Sequence, residues 1–313
     1  LEPAIGVLGG SGLYEFEGLK EVRAVSVRTP FGAPSGPIVT GTLNGTRLAF
    51  LARHGRGHRL LPTEIPFRAN VWALKSIGVE RILSVSAVGS MREDIKPGDF
   101  VIVDQFFDRT RQRPSTFFGR GLVAHVRFAD PVCAKLARAV IDSAGPLGLR
   151  AHPGGTYLCM EGPAFSTRAE ARIYRQWGVD VVGMTNLQEA KLAREAEICY
   201  ATIAMATDYD CWHETEEDVS VEAVLRVLRE NVANVRRLIA AALPKVPRRR
   251  ACPCVGALKD AILTAPEAIP PATRRRLDLL VGKYLSGGVK ATTSKGRPRP
   301  VAARAKGSSK AAG

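Results

Sequence analysis

Acidic and aromatic residues are the two scarce classes in this 313-residue chain: 30 Asp and Glu stand against 45 Lys and Arg, and aromatics make up 6%. The resulting formal charge of +15 is uneven, with much of it at Arg248 to Arg250, Arg274 to Arg276 and from Lys290 to Lys310. A basic tail of this kind could grip nucleic acid through its phosphates, but without interleaved aromatic residues base stacking has no support. A disordered, solubilising extension explains the same composition. Long apolar runs are missing as well, and so is a charged leader followed by an apolar core; a cytoplasmic protein without membrane contact is expected. A zinc set is not evident, because glycines between His54 and His58 disfavour a helix and no acid completes the ligands, so no metal is expected. The six cysteines (Cys133, Cys159, Cys199, Cys211, Cys252 and Cys254) are scattered, mostly in apolar segments, which reads as reduced core thiols rather than a disulfide framework. Whether Cys252 and Cys254 pair stays open.

What the chain does have is a series of short apolar runs that end in unusual polar residues. Hydrophobic residues make up 45% of the sequence, enough for one large α/β domain or two smaller ones. Ile198 through Ala206 reads as a buried strand and stops at two carboxylates, Asp208 and Asp210. Alternation along an extended chain puts both on one side, and paired acids at a strand end call for a ligand that offers protons or amino groups. A surface turn with two solvated aspartates would give the same pattern. The strand Ala4 to Leu8 runs into a glycine-rich turn with Ser11, suited to an anion yet neither a dinucleotide fingerprint nor a P-loop. Arg47 to Leu51 stops at Arg53, His54 and two glycines, and Arg81 to Val85 stops at Ser86 and Ala87. Three strands thus finish in ends that favour an oxyanion.

Helices are expected over Pro66 to Ile77, Pro131 to Ser143 with Asp130 as cap, from Ser166 to Trp177, over Gln188 to Ala196, and over Val219 to Leu243. Asp108 to Gly121 lacks periodicity and reads as a long loop. Three segments follow from composition: 1–243 as the main domain, 244–286 as an extension carrying Cys-Pro-Cys, and 287–313 as the basic tail.

The motifs GGSG at Gly9, RHGRGH at Arg53, SAVGS at Ser86, EGPAFSTRAE at Glu161, GMTN at Gly183 and AMATDYDCW at Ala204 together carry a resemblance. The chain resembles the 5'-methylthioadenosine phosphorylases of the trimeric purine nucleoside phosphorylase superfamily, from Ile5 to about Leu243. The resemblance implies an α/β single domain with a mixed, partly barrel-like central β-sheet flanked by helices, assembled as a homotrimer. It also implies phosphorolysis of methylthioadenosine, with inorganic phosphate as co-substrate and no metal or organic cofactor. By position, phosphate ligands fall on Ser11, Arg53, His54, Ser86, Ala87 and Thr185. Met184 packs the ribose, Phe165 and Ser166 face the base, and Asp208 and Asp210 bind the purine. Val221, Val224 and Leu225 line the methylthio pocket, and His125 reaches in from the neighbouring subunit.

The expected chemistry is a glycosidic cleavage with an oxocarbenium-like transition state: phosphate steadies the sugar cation while Asp208 shares a proton with N7 of the leaving base. A close carboxylate pair would push one of the two pKa values up. The alternatives are a 6-oxopurine nucleoside or methylthioinosine phosphorylase and, from another class, a non-catalytic nucleic-acid-binding protein that uses the basic tail.

Overall fold

A computed structural model describes residues 4–10, 13, 16–213 and 221–285. Along them run β1 (Ala4–Gly9), β2 (Lys20–Val25), β3 (Ile38–Leu43), β4 (Thr46–Ala52), α1 (Phe67–Ser76), β5 (Val79–Ser90), β6 (Phe100–Ile102), β7 (Gln105–Arg109), α2 (Ala134–Ala144), β8 (Ala151–Pro153), β9 (Thr156–Met160), α3 (Arg168–Gln176), β10 (Val181–Gly183), α4 (Asn186–Glu195), β11 (Cys199–Asp208), α5 (Val221–Ala242) and α6 (Pro271–Leu285). The strands form one mixed sheet in the order β2-β3-β4-β1-β5-β10-β9-β7, and β11, β6 and β8 branch from β5.

The branched apolar runs of β1, β5 and β11 suit strands covered on both faces. Alternation splits their side chains between two layers. Leu8 and Ile82 join Trp72 of α1 and Leu277 of α6 on one side, whereas Val7, Leu83 and Ile203 join Leu136 of α2 and Leu238 of α5 on the other. Each fully buried side chain of this size contributes about 1.5–3 kcal/mol.

β1 is parallel to both β4 and β5, and β11 is parallel to β5, so the polar ends of these strands fall at one edge of the sheet. A break in pairing marks the same place. β1 follows β5 as far as Ser84, opposite Leu8, and β10 joins that side of β5 only at Gly89, opposite Val182. Between them, residues 85–88 keep β11 as their ladder partner, and among the described residues no strand pairs with their other side.

Several boundaries differ from expectation. α2 is capped by Cys133 rather than Asp130, because the Cys133 N–H is held by the Tyr200 carbonyl at 2.8 Å and the chain stays extended to that point. α3 is capped by Thr167, whose hydroxyl accepts the Glu170 N–H while the Glu170 side chain returns the bond. The segment read as a loop from Asp108 begins inside β7, which pairs in parallel with β9. The segment 244–285 packs on the core: Leu277, Leu280 and Val281 of α6 join the cluster of Trp72 and Phe117. Buried Glu197 fastens it, accepting from Tyr284 Oη at 2.5 Å and from the Leu258 N–H at 3.1 Å, with Lys283 as its ion partner. The tail 287–313 lies outside the described residues, as do Ser11 and the Val224 side chain.

Candidate active site

A cavity of about 560 Å³ opens where β5 lacks its second neighbour, and residues 85–89 form its floor. Its two ends have opposite chemistry.

At one end β4 delivers Arg53, which is only 3% exposed. Its Nε donates to Glu189 Oε1 at 2.5 Å, and Nη2 donates to Glu189 Oε2 at 3.1 Å and Ser84 Oγ at 2.6 Å. Nη1 donates to the Val85 carbonyl at 2.9 Å. Of the five guanidinium N–H groups, four are taken by described residues and one on Nη1 remains for a ligand. Glu189 also accepts from Ser84 Oγ and Tyr200 Oη, and Asn186 donates to Ser84, Tyr200 and Thr202. A charge pair this deeply buried persists because every partner is hydrogen-bonded.

His54 follows on the same loop. Its Nδ1 lies 2.8 Å from the Leu60 carbonyl, which can only accept, so Nδ1 carries the proton. Burial, with Arg53 close by, pushes its pKa down to about 4, leaving the ring neutral near pH 7. Among the described residues the His54 main-chain N–H has no partner. Ser86 and Thr185 meet at the Tyr157 hydroxyl, which lies 3.4 Å from Ser86 Oγ and accepts the Thr185 N–H at 3.4 Å. Thr185 stands at the N-terminus of α4 without a side-chain cap, an arrangement that favours an anion. β10 brings it there by running antiparallel to β5 and turning back toward Ser86.

At the other end are the two aspartates. β11 ends in a register shift between Ala206 and Asp208, and Asp210 adopts a left-handed φ of 55°. Asp208 Oδ1 accepts the Asp210 N–H at 2.8 Å, and its Oδ2 accepts from Thr207 Oγ1 at 2.7 Å. The two carboxylates therefore share the cavity through a tight turn, not through the alternation of an extended strand. Burial raises the Asp208 pKa despite the opposing Thr207 hydroxyl and Asp210 N–H. For Asp210, burial outweighs a hydrogen bond from Ser166, the charge of Asp208 adds to it, and the pKa rises to about 6. Among the described residues Asp210 Oδ2 is buried without a hydrogen-bond partner. Gly89 permits this crowding, since a Cβ there would come within 3.0 Å of Asp208 Oδ1 and 3.3 Å of Asp210 Cβ.

Met184, Phe165, Ser166, Val221 and Leu225 line the space between the ends, together with Ala87 of the floor. Phe165, Val221 and Leu225 are 41%, 63% and 42% exposed, so the mouth is open and apolar. His125 does not line this chain's cavity; it is exposed and tied by its N–H to the Ala261 carbonyl. Sequence reasoning missed Arg113. Its guanidinium is buried against Glu161 and donates to the Met160, Glu161 and Met184 carbonyls, which fixes the two loops that carry Met184 and the base-side residues. Only the length of its loop hinted at a role.

A profile of the phosphorylase superfamily matches residues 4–244. The S-methyl-5'-thioadenosine phosphorylase of Geobacter sulfurreducens is 60% identical over 286 residues, covering 91% of this chain and 100% of its own. The chain belongs to the S-methyl-5'-thioadenosine phosphorylase family. A methylthioadenosine phosphorylase from an antarctic soil metagenomic library superimposes with a TM-score of 0.85 at 48% identity, covering 89% of this chain and 99% of that one. The Schistosoma mansoni methylthioadenosine phosphorylase in complex with adenine gives a TM-score of 0.75 at 36% identity, covering 82% and 96%. The family likeness thus reaches past residue 244 into the segment that packs on the core, because 91% of the chain is more than residues 4–244 supply. Among the described residues no helix is long and apolar enough to cross a membrane.

Proposed function

We propose that this pentosyltransferase cleaves S-methyl-5'-thioadenosine with phosphate, giving adenine and 5-methylthioribose 1-phosphate. The observation that carries this is one cavity with an anion cradle at one end and a protonatable carboxylate pair at the other. Phosphate is held by the remaining Arg53 N–H, the His54 main-chain N–H, Ser86, Ala87 and Thr185; the sequence resemblance adds Ser11, which lies outside the described residues. A phosphate oxygen attacks C1' as the C1'–N9 bond breaks, and its charge steadies the ribosyl cation. Asp208, protonated at the moment of departure, gives its proton to N7, so that adenine leaves neutral. Asp210 accepts from the 6-amino group, for which its unpartnered oxygen is suited. Met184 packs the ribose, Phe165 and Ser166 face the base, and Val221, Val224 and Leu225 take the methylthio group. The chemistry calls on no metal or organic cofactor.

A homotrimer fits the open, apolar mouth, which a neighbour's His125 would close. The reaction belongs to purine and methionine salvage, and a cytoplasmic location suits it. The decisive experiment is adenine release from methylthioadenosine with and without phosphate, run beside methylthioinosine. A carbonyl at position 6 would set an acceptor against Asp210, and such a mismatch costs about 1–3 kcal/mol, so methylthioadenosine should lead by at least about tenfold in kcat/KM. Equal turnover defeats the assignment, and a lead for methylthioinosine favours a 6-oxopurine phosphorylase. Sedimentation equilibrium should return three times the chain mass.

A further inference from the structure

At the end of β11 opposite the aspartates, four cysteines from three separate stretches converge. Cys199 opens β11, Cys133 precedes α2, and Cys252 and Cys254 flank Pro253 at a short 3-10 turn. Their Sγ atoms all lie within 4.8 Å of one another, and Cys199 and Cys252 are 3.3 Å apart. Three of the four are buried and Cys252 is half-buried.

We propose that Cys133, Cys199, Cys252 and Cys254 form a tetrahedral, all-thiolate site for a zinc-class divalent cation. Zinc–sulfur bonds of about 2.3 Å around a tetrahedron put sulfur atoms about 3.8 Å apart, a spacing within the cluster's range. Two disulfides would instead sort the atoms into pairs bonded at about 2.05 Å, whereas all four thiols are free and Cys199 and Cys252 stand 3.3 Å apart. An all-sulfur set selects a soft, tetrahedral ion over magnesium or calcium. The surroundings suit the net charge of −2 that four thiolates and a divalent ion leave. Cys133 lies at the positive end of α2. Arg81, the cross-strand partner of Cys199, donates to the Pro247 and Arg248 carbonyls at 2.6 and 2.9 Å, on the stretch that leads to Cys252.

Four protein ligands leave no open position, so the ion is structural. It also sits far from the chemistry: the nine steps of β11 from Cys199 to Asp208 span about 30 Å. Its effect is to pin the segment 244–285 to the start of β11 and of α2. The four cysteines are 66, 53 and 2 residues apart in sequence (133 to 199, 199 to 252, 252 to 254), a spacing that no local zinc pattern matches.

The test is elemental analysis of the untagged full-length chain, purified anaerobically under reductant. One zinc per chain is expected, and cobalt exchanged into the site should show thiolate-to-cobalt charge-transfer bands with tetrahedral ligand-field bands. Cys254→Ser and Cys133→Ser should lose the metal, and Cys159→Ser and Cys211→Ser should retain it. Removal of zinc by a chelator should lower Tm by several degrees. If a cluster variant does not fold, the zinc content and cobalt spectrum of the unaltered chain decide alone. The proposal is overturned if the chain takes up no zinc and all four thiols react with Ellman's reagent, or if the native mass lacks two hydrogens per disulfide.

Discussion

Arg53 with Glu189 and Asp208 with Asp210 are both buried charge clusters on one cavity, yet they are satisfied to different degrees. The Arg53 network commits four of five guanidinium N–H groups and draws in Ser84, Asn186, Tyr200 and Thr202, so its charges are fixed before any anion arrives. At the aspartates one oxygen is left without a partner among the described residues, and both pKa values are raised. The first arrangement provides pre-organised dipoles; the second provides carboxyl groups that burial shifts toward their protonated forms. An unmet buried acceptor costs about 1–3 kcal/mol, which a ligand that supplies a donor recovers on binding.

The strongest way to break the contrast is Glu189→Ala. Removing one partner of a buried pair should lower stability by about 3–5 kcal/mol, read as a fall in the denaturant midpoint. A midpoint within experimental scatter of the parent would mean that water reaches Arg53. Asp208→Asn should do the opposite, lowering kcat by about 10²–10⁴ while Tm holds, as general-acid loss does. A variant that keeps a tenth of parental kcat would remove Asp208 from the proton path.

Gly183→Ala sharpens the view of the anion end. Its Cβ would fall 2.1 Å from the Tyr157 hydroxyl and displace it from Thr185 and Ser86. The KM for phosphate should rise by about tenfold or more while that for nucleoside moves less, an effect on the order of one or two hydrogen bonds. Equal changes in both would show that Tyr157 does not position the cradle.

The pH dependence of Asp210 is a smaller effect with a defined sign. Its folded pKa of about 6 lies above the ordinary value of 3.8, so the stability linked to its proton is present below pH 3.8 and lost as pH rises through about 6. Ionised Asp210 therefore burdens the fold at neutral pH by up to about 3 kcal/mol. Asp210→Asn should gain Tm over the parent at pH 7.5 and lose that gain at pH 4.5. A gain independent of pH would assign the effect to packing. Smallest of all, deletion of Lys290 to Gly313 should leave turnover unchanged, since it removes none of the residues that line the cavity.

The strand ends were legible in the sequence because each couples an apolar run to residues that do not belong in a core: Arg53 after Leu51, Ser86 after Val85, and Asp208 after Ala206. That the loops share a cavity was legible only through resemblance, since parallel pairing joins β1 to residues 43 positions away on β4 and 75 or 76 positions away on β5. Arg113 and Tyr157 were invisible for a related reason: their function lies in carbonyls and hydroxyls contributed by distant segments. α6 was hidden by its own surface, in which Arg274 to Arg276 mask the short apolar stripe of Leu277, Leu280 and Val281. The carboxylate pair was found by a faulty route, because the turn at Asp210 replaces the alternation that had been assumed.

The interval at residues 85–88 also bears on motion. Amides in the middle of a parallel sheet normally exchange with deuterium only on global unfolding. Here every second amide of the interval faces the cavity instead of a neighbouring strand, so these should exchange early while those facing β11 remain slow. Phosphate alone should then slow the early set, giving an isotopic signal of anion occupancy that needs no nucleoside and no turnover.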